Sequence, residues 1–209
     1  MTTHRLRAII VLGVMATAAT ASASPASTVG PVECAMQGRP YVDLRPIEQD
    51  LTAVVEFERS VTRYAMLHRQ LEGPLPPSHM SADARVVREA TDALALAIQI
   101  ARKDAQRGEI FTPQVTRVFQ KRIAACLPPE QWAEILAEHA QDYPSTVPAL
   151  QVNGRWPGSI PFNYVPFQML AVLPPLPAEL QYRIVGRSLV LWDCHANVIV
   201  DIMPAAFTT

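Results

Sequence analysis

The densest polar cluster in the chain is Asp193-Cys194-His195, with a further aspartate at Asp201. An aspartate and a histidine within reach of each other can form a general base with its orienting carboxylate. They can equally hold a divalent metal ion. The commoner use of the same residues is structural: an aspartate at a strand end accepts from turn N–H groups, and a histidine at a turn tip is solvated. Register decides between these uses. If Asp193 pairs with Val198, the period of two puts Asp193 and Asp201 on opposite faces of a sheet, and a one-residue change puts them on the same face. Only the same-face arrangement offers two carboxylates to one ligand. Asp193, His195 and Asp201 are therefore the candidate metal ligands, for Ni²⁺, Co²⁺ or Zn²⁺ if further ligands converge.

Other polar residues carry less. His139 lies on an apolar helical stripe and reads as a core-edge histidine. Glu134 and Glu138 are four apart on one helix face and read as solvated. Glu58 falls on an apolar stripe and reads as a carboxylate paired with a neighbouring arginine. Trp156, Tyr164 and Phe167 could line a groove, although packing against helices is the commoner use of such residues. No His-Glu-x-x-His, Glu-x-x-His, Gly-x-Ser-x-Gly or Gly-x-x-x-x-Gly-Lys occurs, which removes the zincin, di-iron, nucleophile-elbow and phosphate-loop chemistries. No catalytic residue is assigned, and no cofactor is expected beyond a divalent metal as the alternative.

Composition narrows the class. The chain of 209 residues is 49% hydrophobic and 18% charged, with a net charge of −1. It is too apolar for disorder and too weakly basic for nucleic-acid binding to be the default. His4, Arg5 and Arg7 precede the apolar run AIIVLGVMA (residues 8–16), and Ala21-Ser22-Ala23 supplies a small-residue cleavage site. That three-part pattern is an export signal, so residues 1–23 are expected to be removed and the rest to work in the periplasmic space of a bacterium. Nothing later resembles a membrane span. Removal takes two arginines and no acids, which moves the net charge from −1 to −3. Cys34, Cys126 and Cys194 all remain. In an oxidising compartment that odd number leaves one thiol over, and any of three pairings is open.

The elements that must position these groups fall into three regions. Residues 24–142 read as about four helices. The first, Asp43 to Glu72, carries Ile47, Leu51, Val54, Val61 and Ala65 on one face. The second is capped by Ser81, runs to about Arg107 and stops at Gly108. The third begins at Thr112-Pro113, and the fourth follows Pro128-Pro129 with Trp132, Ile135, Leu136 and His139 on its stripe. Residues 143–177 hold eight prolines interleaved with aromatics, which suits an extended segment packed over the helices. Residues 178–209 read as a meander of three strands, 180–185, 188–194 and 198–203, turning at Gly186-Arg187 and at His195-Ala196-Asn197. Three strands alone bury too little to stand by themselves. The expected architecture is thus one composite α+β unit.

Leu173 to Ile202, LPPLPAELQYRIVGRSLVLWDCHANVIVDI, resembles the C-terminal module of the periplasmic nickel/cobalt-homeostasis (transporter-regulator) family. The shared pattern is the proline-rich lead-in, Tyr182-Arg183, Gly186, the apolar strand ending at Asp193, and Val200-Asp201. It covers about 30 of 209 residues. The resemblance implies the meander and the compartment, and it implies metal homeostasis as an alternative function. Family members tend to have an apolar residue where Cys194 stands, which implies Cys34 with Cys126 as the disulfide. On these grounds the expected function is a non-catalytic envelope accessory protein with a protein partner. A metal-homeostasis factor and a hydrolase using His195 or His139 with a carboxylate are the alternatives.

Overall fold

The computed structural model describes residues 45–75 and 83–207, with side chains from residue 48 onward. The expected export signal, Cys34, His79 and the Ser81 cap lie outside the described residues. Five helices precede three strands: α1 Arg45–Glu72, α2 Ala84–Ala101, α3 Pro113–Cys126, α4 Pro129–Gln141, α5 Phe167–Val172, β1 Leu180–Val185, β2 Ser188–Asp193 and β3 Val198–Met203. This is an α+β architecture, and the strands form one antiparallel sheet in the order β1-β2-β3.

Local chemistry explains most of the boundaries. Thr112 caps α3 by accepting from the Val115 N–H, and Pro113 takes the first turn, where its missing N–H costs nothing. Asp83, and not the expected Ser81, caps α2 by accepting from the Arg85 N–H. Gly186 (φ 54°) and Asn197 (φ 54°) take the left-handed conformations that the two hairpin turns need.

Three further expectations are corrected. Helix α2 ends at Ala101 rather than near Arg107, and Gly108 (φ 89°) turns the loop before α3 instead of capping a helix. On α1 the buried stripe is Ala53, Phe57, Val61, Tyr64, Ala65 and His68, so Val61 and Ala65 of the expected face are buried and Val54 is half-buried, whereas Leu51 and Glu58 are exposed. The proline-rich segment is not extended throughout, because Phe167–Val172 forms a short helix after Pro166.

The sheet is covered on both faces. One side meets the helices through a core containing Phe57, Phe119, Ile123, Leu189, Leu191 and Met203. Phe57 is its aromatic hub, lying 4.8 Å from Phe119 and 5.9 Å from Phe111 between ring centroids. The other side carries Val190, Trp192, Ile199 and Ile202 under Trp156 and Ile160. The lid over that second face is knitted on by backbone. The Asn153 N–H donates to Ile199, the Ile199 N–H to Gly154 and the Trp156 N–H to Asn197. The Asn153 side chain then donates to the carbonyls of Gln99 and Arg102, closing the end of α2 onto the same segment.

Asp193 pairs with Val198, yet Leu191 pairs with Asp201 because the register shifts between Leu191 and Trp192. Val200 is the extra residue of this β-bulge, and its carbonyl accepts from the Arg102 guanidinium. The bulge moves Asp201 onto the helix-facing side together with Asp193. Pairing of Asp193 with Val198 was expected to separate the two aspartates, and the bulge reverses that outcome.

Fully buried Asp201 accepts from the N–H groups of Gly108 at 2.9 Å, Ile110 and Phe111 at 2.8 Å each, and Ile202 at 2.7 Å. Asp201→Ala strands these donors in the interior, at about 1–3 kcal/mol for each unpaired group. The expected loss is at least about 3 kcal/mol in urea unfolding, with Asp201→Asn in between. A loss within experimental error would show that water satisfies the loop instead.

Candidate functional site

Helix α1 and the β2–β3 turn meet around the carboxylate of Asp193, which is fully buried. Its Oδ2 accepts from the Tyr64 hydroxyl at 2.7 Å and from His68 Nδ1 at 2.6 Å. Its Oδ1 accepts from the backbone N–H of His195 at 3.0 Å and of Ala196 at 2.8 Å. The turn geometry is the one expected for an aspartate at a strand end. The two side-chain donors come from a helix more than a hundred residues earlier, and nothing in the local sequence announced them.

Tyr64, His68 and Glu72 recur at four-residue steps, so they stand above one another along one edge of α1. Asp193 lies beside the first two. His68 is fully buried, and its other ring nitrogen, Nε2, lies 3.3 Å from Glu72 Oε2 without the alignment of a hydrogen bond. His195 reaches the same point from the turn: its Nδ1 is 3.8 Å from Glu72 Oε1, and its ring centroid is 5.5 Å from that of His68. One ligand atom from each of His68, Glu72 and His195 thus falls within 4.8 Å of the other two.

Electrostatics hold this arrangement in place. Burial is the largest influence on His68 and opposes its charge. The hydrogen bond and negative charge of Asp193, helped by Glu72 and Glu179, outweigh burial and raise the imidazole above its ordinary value. Burial, then the charge of Asp193, pushes the Tyr64 phenol far up, so Tyr64 remains a donor. Glu179 lies nearby and is clamped by the Arg69 guanidinium. Burial pushes the Glu179 carboxyl up, but Arg69 and a backbone hydrogen bond prevail and hold it below the usual carboxylate range.

The candidates are distributed as follows. His195 lies in the cluster. Asp193 stands behind it, with its oxygens committed to four donors. Asp201 is spent on the loop before α3 and does not join. Cys194 abuts the Glu179 carbonyl, and burial followed by the Asp193 charge raises its thiol, the opposite of what an activated nucleophile needs. No disulfide forms among the described residues: Cys126 and Cys194 are free thiols, and Cys34, the expected partner of Cys126, lies outside them.

A hydrolase reading would use His68 Nε2 as the base, since Asp193 orients that ring as the third member of a catalytic triad does. The groups near Nε2 are a carboxylate and another imidazole, which are ligands and proton acceptors rather than nucleophiles. His68, Glu72 and Tyr64 were missed by sequence reading. The signal that could have found them is the Tyr-x-x-x-His-x-x-x-Glu spacing on a helix otherwise read only for its apolar stripe. Comparison with known proteins finds no matching family model, no matching curated protein and no matching solved structure.

His139 is elsewhere, buried on α4 with both ring nitrogens unpartnered and Tyr164 edge-on at 4.9 Å. Burial lowers its pKa, against the weaker pull of Glu138 and Asp142. Below the ordinary imidazole value of about 6.5 the unfolded chain takes up a proton that the folded chain refuses, so this residue withdraws stability as pH falls. His139→Leu is therefore expected to lose less melting temperature than the parent between about pH 7 and pH 5.5. Equal losses in both proteins would assign the acid sensitivity to other groups.

Proposed function

We propose that this chain is an exported accessory protein of the bacterial envelope that works by holding a partner protein. The export reading rests on the charged start, the apolar run and the Ala-x-Ala site within residues 1–23. Kinship with the nickel/cobalt-homeostasis family belongs to the same proposal. It rests on residues 173–202, whose Tyr182-Arg183 falls in β1, Gly186 in the first turn, and Asp193 at the end of β2.

The observation that carries the partner reading is the surface of residues 162–170. Phe162, Tyr164, Phe167 and Leu170 are all exposed, Phe167 to 75%. Large apolar side chains scattered singly over a surface need no explanation, but four exposed within nine residues are an unusual density of the kind that accompanies an interaction site. Leu170 also lines a groove of about 380 Å³, together with Val165, with Pro174, Pro175 and Leu176, and, as one wall, with Leu180 to Arg183 of β1. That wall is an edge strand, paired only with β2. An edge of this kind adds an extended segment by backbone hydrogen bonding, while the groove takes its alternate side chains. The occupant that fits is therefore an extended, apolar segment of another envelope protein, held in the groove against Leu170, with exposed Phe167 a few residues away.

A photo-cross-linking residue at position 167 is expected to trap one discrete adduct in intact cells, and the same residue at exposed Leu96 is expected to trap none. Leu170→Asp should abolish the adduct while leaving the circular dichroism spectrum unchanged. No adduct at 167, or the same adduct from both positions, would remove the partner-holding reading.

A further inference from the structure

The cluster on α1 and the β2–β3 turn uses different residues from the partner surface, and its success or failure is independent of it. We propose that His68 Nε2, a Glu72 carboxylate oxygen and His195 Nδ1 form a three-ligand site for one divalent first-row transition ion, with Asp193 as the outer carboxylate that orients His68.

Three observations converge. The first is proximity: one ligand atom from each residue lies within 4.8 Å of the other two, with Glu72 Oε2 at 3.3 Å from His68 Nε2 and Glu72 Oε1 at 3.8 Å from His195 Nδ1. Ligands held at about 2.0–2.2 Å from one ion stand about 3.4 Å apart, so the site closes with a shift of roughly 1 Å. The groups that have to move are the ones free to do so. Glu72 is 31% exposed and His195 44%, whereas His68 is fully buried.

The second is an orphaned atom. His68 Nε2 is buried and has no hydrogen-bond partner, although Glu72 Oε2 lies only 3.3 Å away. A buried polar atom without a partner ordinarily costs free energy, and such atoms are rare in folded chains. A metal ion at this point would satisfy it.

The third is the arrangement behind the histidine. Asp193 only accepts, so the proton of a neutral His68 sits on Nδ1 and the lone pair of Nε2, 3.3 Å from Glu72 Oε2, is free for a ligand. A carboxylate that holds the far nitrogen of a ligating histidine fixes its tautomer and its ring orientation and raises its basicity. Two imidazoles and one carboxylate suit Zn²⁺, Co²⁺ or Ni²⁺ over Ca²⁺ or Mg²⁺, which prefer all-oxygen shells. Three protein ligands leave a fourth position open to water or to a donor from outside, as structural zinc sites do not.

The test is titration of the untagged chain with Zn²⁺ and with Co²⁺, by calorimetry and by Co²⁺ absorption. One ion per chain is expected in the micromolar range or tighter. His195→Ala and Glu72→Gln are each expected to weaken it at least about tenfold, as loss of a ligand does. Both side chains are partly exposed, so these variants keep the fold. In the Co²⁺ complex, paramagnetically shifted ring protons should belong to His68 and His195 and not to His139. Affinity weaker than millimolar, affinity unchanged by both substitutions, or shifted signals on other histidines would each overturn the site.

Discussion

A carboxylate buried without compensation would disrupt this fold, and Asp193 is compensated on every side. Two of its donors belong to α1 and two to the β2–β3 turn, so the charge joins the first helix to the last hairpin. Removing one partner of such a buried pair commonly costs about 3–5 kcal/mol, because the remaining charge stays in a poor solvent. The consequence is positional. His68 is held by a short hydrogen bond in the interior, and its second nitrogen is left at a fixed point at the edge of the helix.

Asp201 does the same work at a second point of the sheet, gathering the loop between α2 and α3. The two aspartates share a face only because Val200 bulges out of the ladder. Without that extra residue Asp201 would turn toward Trp156 and Trp192, where the aromatic lid offers no such run of backbone donors. The bulge carbonyl is in turn held by Arg102, whose guanidinium also lies over the Tyr64 ring at 5.2 Å. Bulge, arginine and tyrosine thus connect the two buried carboxylates through one set of contacts.

The architecture was legible where local chemistry dictates it. Thr112-Pro113, Pro128-Pro129, Gly186 and Asn197 are residues whose backbone preferences admit few alternatives, and the elements they delimit stand where the sequence places them. The end of α2 was misread because Gly108 is a good helix stop by type. The loop instead uses its N–H to reach Asp201, an interaction 93 residues away. The exposed face of α1 was misread for a related reason. Val61 and Ala65 are buried as their period requires, but Leu51 fits the same apolar period and is exposed, because the stripe turned inward at that end runs through Ala53 and Phe57. The site was half legible. Its turn was visible as Asp-Cys-His, whereas its helical half has the form of ordinary surface residues until the sheet is laid against it.

That asymmetry bears on what the cluster can do. A site made by one element can form in the unfolded chain, but one split between residue 68 and residue 195 exists only after α1 docks on the hairpin. Asp193 makes the docking specific, because any other register leaves its charge unpaired. His68 enters rigid and oriented, while Glu72 and His195 remain partly in water and keep their rotamer freedom. A ligand drawing these three together would add a second tie between helix and hairpin beside the one Asp193 provides. It would bind only the folded chain, and so would stabilise it in proportion to the logarithm of its concentration over its dissociation constant. The geometry therefore couples occupancy of the cluster to the integrity of the whole α+β unit rather than to the movement of a single loop.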